Sequence, residues 1–173
     1  YILNDRSVIG VSQFPMKALK ENKELVTSII SKESEVREDV SYILRVEQNN
    51  AGKILYFAGD LTGGKYLSSS TDFSKAEGVK AVKEGDGFRL ISLKDNKYVE
   101  IVEGKAALND SPLGSVWVLD SETGVPMTDC NGTMYYLGCY KTYETFSASK
   151  TSYISDTSVI GVSQFPMTLC FAE

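Results

Sequence analysis

Residues 88–119, FRLISLKDNKYVEIVEGKAALNDSPLGSVWVL, contain four short apolar runs separated by residues that favour turns. Runs of this length with Gly, Asp or Asn in the gaps are typical of β-strands joined by turns. The stretch therefore predicts four consecutive strands, which we place at 88–93, 97–99, 105–108 and 116–119.

The same four-run pattern occurs twice more in the chain. Tyr66, Tyr98 and Tyr136 mark the second run of each unit, at spacings of 32 and 38 residues. Three such units predict an all-β fold, a β-trefoil, in which six strands close a barrel and three hairpins cap one end. We expect YILRV at 42–46, a thirteenth strand, to lead into the barrel as a hairpin with 54–57. The other two units have their runs at 54–57, 65–67, around Phe73 and 79–82, and at 125–128, 135–137, 145–148 and 165–171.

A decapeptide, SVIGVSQFPM, occurs at 7–16 and again at 158–167. Self-similarity of this kind indicates a tandem array of modules. We interpret residues 1–16 as the closing strand of a preceding module copy. Its apolar side chains favour pairing with a sheet edge, either on the same domain or on a neighbouring chain in a swapped arrangement that would allow self-association. The side chains are Val8, Ile9, Val11 and Phe14.

The next segment changes from a strand-like to a helical pattern. Apolar residues recur there at helical intervals among Lys, Glu, Asn and Ser, which predicts an amphipathic helix over the first two-thirds of residues 17–39. We therefore divide the chain into a closing strand at 1–16, a helical linker at 17–39 and a trefoil module at 40–173. The apolar residues are Ala18, Leu19, Leu25, Val26, Ile29 and Ile30.

Composition excludes several classes of function. The net charge is −5, histidine is absent and Lys and Arg form no cluster, which argues against nucleic acid and anionic membranes as partners. Without histidine there is no Ser-His-Asp or Cys-His catalysis, and the commonest ligand of transition metals is missing. We expect neither metal nor cofactor, and we do not expect an enzyme. The three cysteines (Cys130, Cys139 and Cys170) are predicted to be free thiols, with a Cys130–Cys139 disulfide as the alternative.

The repeated step of Gly or Lys, then Tyr, then Leu or Val resembles β-trefoils of the fascin and ricin-B type. Ricin-type lectins carry Gln-x-aromatic in the fourth strand, whereas the triplets here are Ser115-Val116-Trp117 and Ser163-Gln164-Phe165. The departure argues against inherited sugar binding at this place, and it makes Trp117 and Phe165 candidates for the barrel core.

The C-terminal part, with YYLGCYKTYETFSASKTSYI followed by VSQFP, resembles accessory modules of large exported proteins from gut bacteria. This resemblance implies an extracellular or cell-surface setting and an interaction role. The function expected is a non-catalytic binding module with a glycan or a protein as its ligand. A structural spacer in a tandem surface array is the alternative, and an enzyme is the third hypothesis.

Tyr140 and Tyr143 lie close in sequence to Asp129 and Asn131 of a predicted turn. Aromatic rings beside short polar groups are suited to a sugar or a peptide backbone, so these four residues form the predicted binding patch. In the alternative interpretation the two tyrosines pack over the barrel end. Asp129 and Asn131 would then only form the turn.

Overall fold

The computed structural model describes residues 29–30, 35–48, 53–60, 66–121, 123–139, 145–151 and 165–171. These residues form an antiparallel sheet with one short 3₁₀ helix, so the all-β class predicted from the sequence is confirmed. The strands are β1 Ile29–Ile30, β2 Tyr42–Gln48, β3 Lys53–Asp60, β4 Leu67–Ser70, β5 Val79–Glu84, β6 Gly87–Ser92, β7 Tyr98–Val102, β8 Lys105–Asn109, β9 Trp117–Leu119, β10 Pro126–Cys130, β11 Thr133–Cys139, β12 Phe146–Lys150, β13 Phe165–Pro166 and β14 Thr168–Phe171, and the 3₁₀ helix is Phe73–Lys75.

Strand pairing repeats along the chain in sets of four. In each set the second and third strands form a hairpin, namely β3–β4, β7–β8 and β11–β12. The first strand of each set pairs with the second. The fourth strand returns to the first in two sets, as β5 on β2 and β9 on β6. In the last set β13 pairs instead with β11.

The three sets are joined into a closed circuit of ladders. β5 pairs with β6, β9 pairs with β10, and β14 pairs with β2. Between β13 and β14 the backbone N–H of Met167 donates to the carbonyl of Leu137 at 2.9 Å, which ties the last segment to β11. The predicted closing strand at 165–171 is therefore present as two short strands that bridge the last set to the first.

Alternation along the strands directs apolar side chains into the circuit, since successive residues of a strand point to opposite faces. In β2, Tyr42, Leu44 and Val46 belong to the main core, whereas Ile43 packs with Tyr56 in a small separate cluster. The main core draws on all three sets, and the largest fully buried side chains include Trp117, Tyr42, Phe57, Phe88 and Phe146. Trp117 lies in the core, as predicted.

The predicted limits of the first unit were wrong. The run YILRV forms the predicted hairpin with the run at 54–57, but it is part of β2, the first strand of the first set, and not an additional thirteenth strand. Consequently the run at 54–57 lies in the second strand, the third strand is Leu67–Ser70, and Phe73 begins the 3₁₀ helix. Tyr56, and not Tyr66, then occupies the place of Tyr98 and Tyr136. The hydrophobic pattern located the strands, but strand order within a unit depends on ladder pairing.

The helix predicted over the first two-thirds of residues 17–39 is not seen. Ile29 and Ile30, assigned to its apolar face, instead form β1 and pair with Cys170 and Leu169 of β14. β-Branched side chains fit a pleated sheet at least as well as a helix, and the edge of β14 offers unpaired backbone groups. The remaining residues of that prediction, 17–28 and 31–32, lie outside the described residues. Among the described helices, none has the length and apolar character needed to span a bilayer.

Candidate functional site

A polar pocket of about 810 Å³ lies where the β3–β4 hairpin, the segment before β5 and the turn after β6 meet. Its walls come from Ala58, the serines of β4, residues 74–78, and Leu93 with Lys94. The volume falls within the range of roughly 300–1,000 Å³ typical of small-molecule sites. The pocket is therefore large enough for a small ligand or the terminal unit of a longer one.

Hydroxyl groups dominate one side of the pocket. β4 has the sequence LSSS, and its three serines are half-buried at the pocket wall, with the more exposed Ser74 nearby. A serine hydroxyl both donates and accepts hydrogen bonds and rotates to suit its partner. This wall can therefore bind a ligand that presents several hydroxyl groups.

The segment that carries Ser74 is held in place by Asp72. One carboxylate oxygen of Asp72, Oδ1, accepts from the Ser74 N–H at 3.0 Å and from the Ser74 hydroxyl at 2.7 Å. These bonds, with a smaller contribution from the charge of Lys75, lower the pKa of Asp72. A capping carboxylate satisfies a backbone donor that the 3₁₀ helix leaves open. The pocket wall is thus preformed at neutral pH, where Asp72 is ionised.

Aromatic packing and backbone bonds fix the same segment on the sheet. The ring of Phe73 meets Tyr56 edge to face, with centroids 5.4 Å apart. The Glu77 N–H donates to the Phe57 carbonyl at 2.8 Å, and the Leu93 N–H donates to the Gly78 carbonyl at 2.9 Å. The position of Glu77 is therefore set by two neighbouring strands.

Glu77 is a buried carboxylate with one oxygen left open. Its side chain belongs to a residue that is only 6% exposed, and its Oε1 accepts a short hydrogen bond from the hydroxyl of the fully buried Ser92. The second oxygen, Oε2, is buried and has no hydrogen-bond partner in the described part of the chain. Leaving a buried charged oxygen unpaired is costly, so this atom calls for a donor that the described chain does not supply.

Gly59 makes the room that this carboxylate occupies. It lies at an irregularity in the β3–β4 ladder and has a φ of +99°, which favours glycine. A Cβ at this position would stand 2.6 Å from Oε2 of Glu77 and 3.9 Å from Oδ2 of Asp95. Both the backbone and the space therefore require glycine here, and the buried Glu77 carboxylate lies against it at the floor of the pocket.

The second set of strands also contains a buried carboxylate, Glu100, but both of its oxygens are hydrogen-bonded. Glu100 follows Tyr98 by two residues, as Ala58 follows Tyr56, and the two tyrosines occupy equivalent ladder positions. Glu100 is 1% exposed, and its Oε1 and Oε2 accept the backbone N–H groups of Leu113 and Ser115, each at 3.0 Å. Both oxygens are thus occupied by the protein's own loop.

The first set carries Ala58 where the second carries Glu100. In the first set the carboxylate belongs instead to Glu77, which comes shortly before the fourth strand. Glu77 occupies the ladder position there that Ser115 occupies in the second set. No described loop donates to Oε2 of Glu77. The difference between the sets is therefore a carboxylate with both oxygens bonded to the chain and a carboxylate with one buried oxygen that has no donor among the described residues.

The predicted binding patch lies elsewhere. Asp129 and Asn131 occupy the exposed β10–β11 turn, and Asn131 and Gly132 have φ values of 54° and 84°, as a two-residue hairpin turn requires. Oδ1 of Asp129 accepts the Gly132 N–H at 3.0 Å. Neither residue lines the pocket. The turn is confirmed, whereas a ligand at this turn stays a prediction.

The other predicted site residues fall outside the described residues. They are Tyr140 and Tyr143 of the patch and Val8, Ile9, Val11 and Phe14 of the N-terminal strand. Their roles also stay predictions. Within the described ranges, no disulfide joins Cys130 and Cys139, and His, Cys, Asp and Glu side chains form no group of three that could hold a metal.

Comparison with known proteins gives no match for this chain among protein-family models, curated proteins or solved structures. The internal comparison between the strand sets therefore carries the functional argument.

Proposed function

We propose that this chain is a non-catalytic binding module that holds a hydroxyl-rich ligand, a glycan, in the pocket at Glu77. One observation carries the proposal: a carboxylate oxygen is buried at a preformed polar pocket and has no donor in the described chain. Carboxylates commonly accept hydrogen bonds from neutral donors, and a sugar hydroxyl supplies such a donor. The ligand would complete a network that Ser92 begins.

We further propose a β-trefoil architecture for the module. The repeated pairing of four strands and the closed circuit of ladders support it, because a trefoil has six barrel strands and three capping hairpins. β3–β4, β7–β8 and β11–β12 would be those hairpins. The pocket then lies on the first capping hairpin, where loops meet and binding residues are commonly found.

A glycan fits the pocket better than a flat protein surface does. Protein interfaces usually bury about 800 Å² on each partner, whereas this pocket is concave and local. Leu93 at its edge is 45% exposed and offers an apolar contact for the C–H face of a sugar ring. The serine wall meets the hydroxyl groups on the other side.

Binding without catalysis is the simpler use of this geometry. Glycoside hydrolysis generally needs two carboxyl groups on either side of the scissile bond. Glu77 is hydrogen-bonded to Ser92 and is the one carboxylate among the described residues that line the pocket, so the lining does not supply such a pair. The proposed setting remains an extracellular or cell-surface protein, in which residues 1–16 could join modules.

Replacing Glu77 by glutamine should weaken glycan binding by about tenfold or more, since a hydrogen bond to a charged group contributes about 1.5–3 kcal/mol. The shape of the side chain is retained, so the fold should be unaffected. A glycan array would identify bound structures for the wild type, and calorimetric titration would compare the variants. Glu103→Gln, at the exposed β7–β8 turn, removes the same charge away from the pocket.

Two results would contradict the proposal. One is an array on which the wild type binds no glycan, and this result would favour the structural spacer. The other is equal affinity for Glu77→Gln and the wild type, with Glu103→Gln also unchanged, which would place the ligand elsewhere on the module.

A further inference from the structure

We propose that the ligand is an acidic sugar, a uronic or sialic acid at a glycan terminus, whose carboxylate is bound by Lys75 and Lys94. This inference rests on the proposed glycan function of the same pocket. It adds a chemical class to that function, because it assigns a role to the charges at the rim of the pocket.

The two lysines reach the pocket from different elements. Lys75 ends the 3₁₀ helix, and Lys94 lies in the turn between β6 and β7. Both residues are exposed, and in the described part of the chain neither ammonium group has a carboxylate within 4 Å. Their charges are therefore available to an anion at the rim.

The distribution of charge orients such a ligand. Glu77 lies buried at the floor, and the exposed Lys75 and Lys94 lie at the rim. A sugar carboxylate would be repelled by the floor and attracted to the rim, while its hydroxyl groups could donate to Oε2 of Glu77. An acidic sugar has one anionic end and several hydroxyl donors. Its anionic end therefore suits the lysines at the rim, and its hydroxyl groups suit Glu77 at the floor.

The local charge also differs from that of the whole chain. The charged residues of the lining are two lysines and one glutamate, whereas the chain has a net charge of −5. An acidic chain that presents a cationic rim to a ligand favours anions at that place over the rest of its surface. The charge of Lys75 acts on Asp72 only beyond ion-pair distance, so a neutral hexose would leave both lysines without an ion-pair partner in the described chain.

The test compares matched ligands and matched variants by calorimetric titration. Glucuronate-terminated and glucose-terminated oligosaccharides differ in one carboxylate, and a sialylated oligosaccharide tests the second source of that group. We expect the acidic ligands to bind about tenfold more tightly than the neutral one, as an ionic hydrogen bond allows. The Lys75→Gln/Lys94→Gln variant should lose this preference, and Lys53→Gln, at the exposed first residue of β3, should retain it.

Salt provides a second measurement. Raising the ionic strength from about 0.1 M to about 1 M should reduce the preference, since the screening length falls from about 10 Å to about 3 Å. Tighter binding of the glucuronate-terminated or of the sialylated oligosaccharide shows which of the two acidic sugars supplies the carboxylate.

The outcomes separate this inference from the proposed function. Equal binding of acidic and neutral sugars, unchanged in the double-lysine variant but lost in Glu77→Gln, would overturn the acidic class and leave glycan binding intact. Binding of a free amino acid in place of any sugar, with its ammonium group at Glu77, would overturn both. Failure of every oligosaccharide to bind would also overturn both.

Discussion

Replacing Trp117 by alanine is expected to lower the free energy of unfolding by about 3–5 kcal/mol, the usual loss for a large aromatic side chain in a core. Trp117 is fully buried, and it pairs with Phe88 of β6 and Thr128 of β10, so it lies where two strand sets meet. Its indole Nε1–H also donates to the Val99 carbonyl at 3.2 Å. Chemical denaturation followed by circular dichroism measures the change.

Trp117→Phe is the matched control for this prediction. It keeps an aromatic ring in the core but loses the bond to Val99, so its effect should be clearly smaller than that of alanine. A loss below about 1 kcal/mol for Trp117→Ala would contradict the core assignment, because a surface substitution has an effect of that size.

The second large effect is expected at Glu100. Substitution by alanine should reduce the free energy of unfolding by about 2–3 kcal/mol, because the N–H groups of Leu113 and Ser115 lose their acceptor. Arg89, whose Nη1 lies 3.8 Å from Glu100, would also lose a neighbouring charge. Thermal and denaturant unfolding would measure the loss.

Glu77→Ala is the control variant for the Glu100 prediction. Removing Glu77 loses the bond from Ser92, which contributes about 1.5–3 kcal/mol, but it also removes a buried oxygen that has no donor in the described chain, so the net loss should be clearly smaller than that at Glu100. Equal and large losses for both variants would show that Glu77 fastens the fold as Glu100 does. The ligand-site interpretation would then lose its main support.

The apolar runs and turn residues predicted the strands well, and the second unit at 88–119 was located almost throughout. The order of the strands within the first unit was not predictable. YILRV and the run at 54–57 are both apolar, and no local signal shows which of them is the first strand. Only the pairing of β2 with β3 and β14 places YILRV first. Ile29 and Ile30 fit either period, and the open edge of β14 decided in favour of a strand.

The pocket could not be predicted in the same way. Glu77 is a single acidic residue between Ala76 and Gly78, and it belongs to no motif. Its burial depends on Ser92 and Gly59, which are brought beside it by ladder pairing and not by sequence spacing. A comparison of Ala58 with Glu100 would have been the useful signal. That comparison needed the correct alignment of Tyr56 with Tyr98, which the predicted unit limits did not supply.

Asp129 and Asn131 show why turn residues are ambiguous as site residues. The same short polar side chains that a ligand could use also form the β10–β11 hairpin, as the bond from the Gly132 N–H to Asp129 shows. The sequence alone is therefore equally consistent with a turn and with a ligand site at these residues. The buried oxygen of Glu77, which has no donor in the described chain, supports the proposed site there over the turn, and only the structure reveals it.

The most direct test of the pocket is a titration of ¹⁵N-labelled protein with glucuronate-terminated oligosaccharide, followed by amide chemical shifts. The account predicts that the largest changes occur at the serines of β4, at Glu77 and Gly78, and at Leu93 and Lys94. Changes concentrated instead at the Asp129–Asn131 turn would contradict it. So would unchanged amide shifts throughout the pocket at saturating ligand.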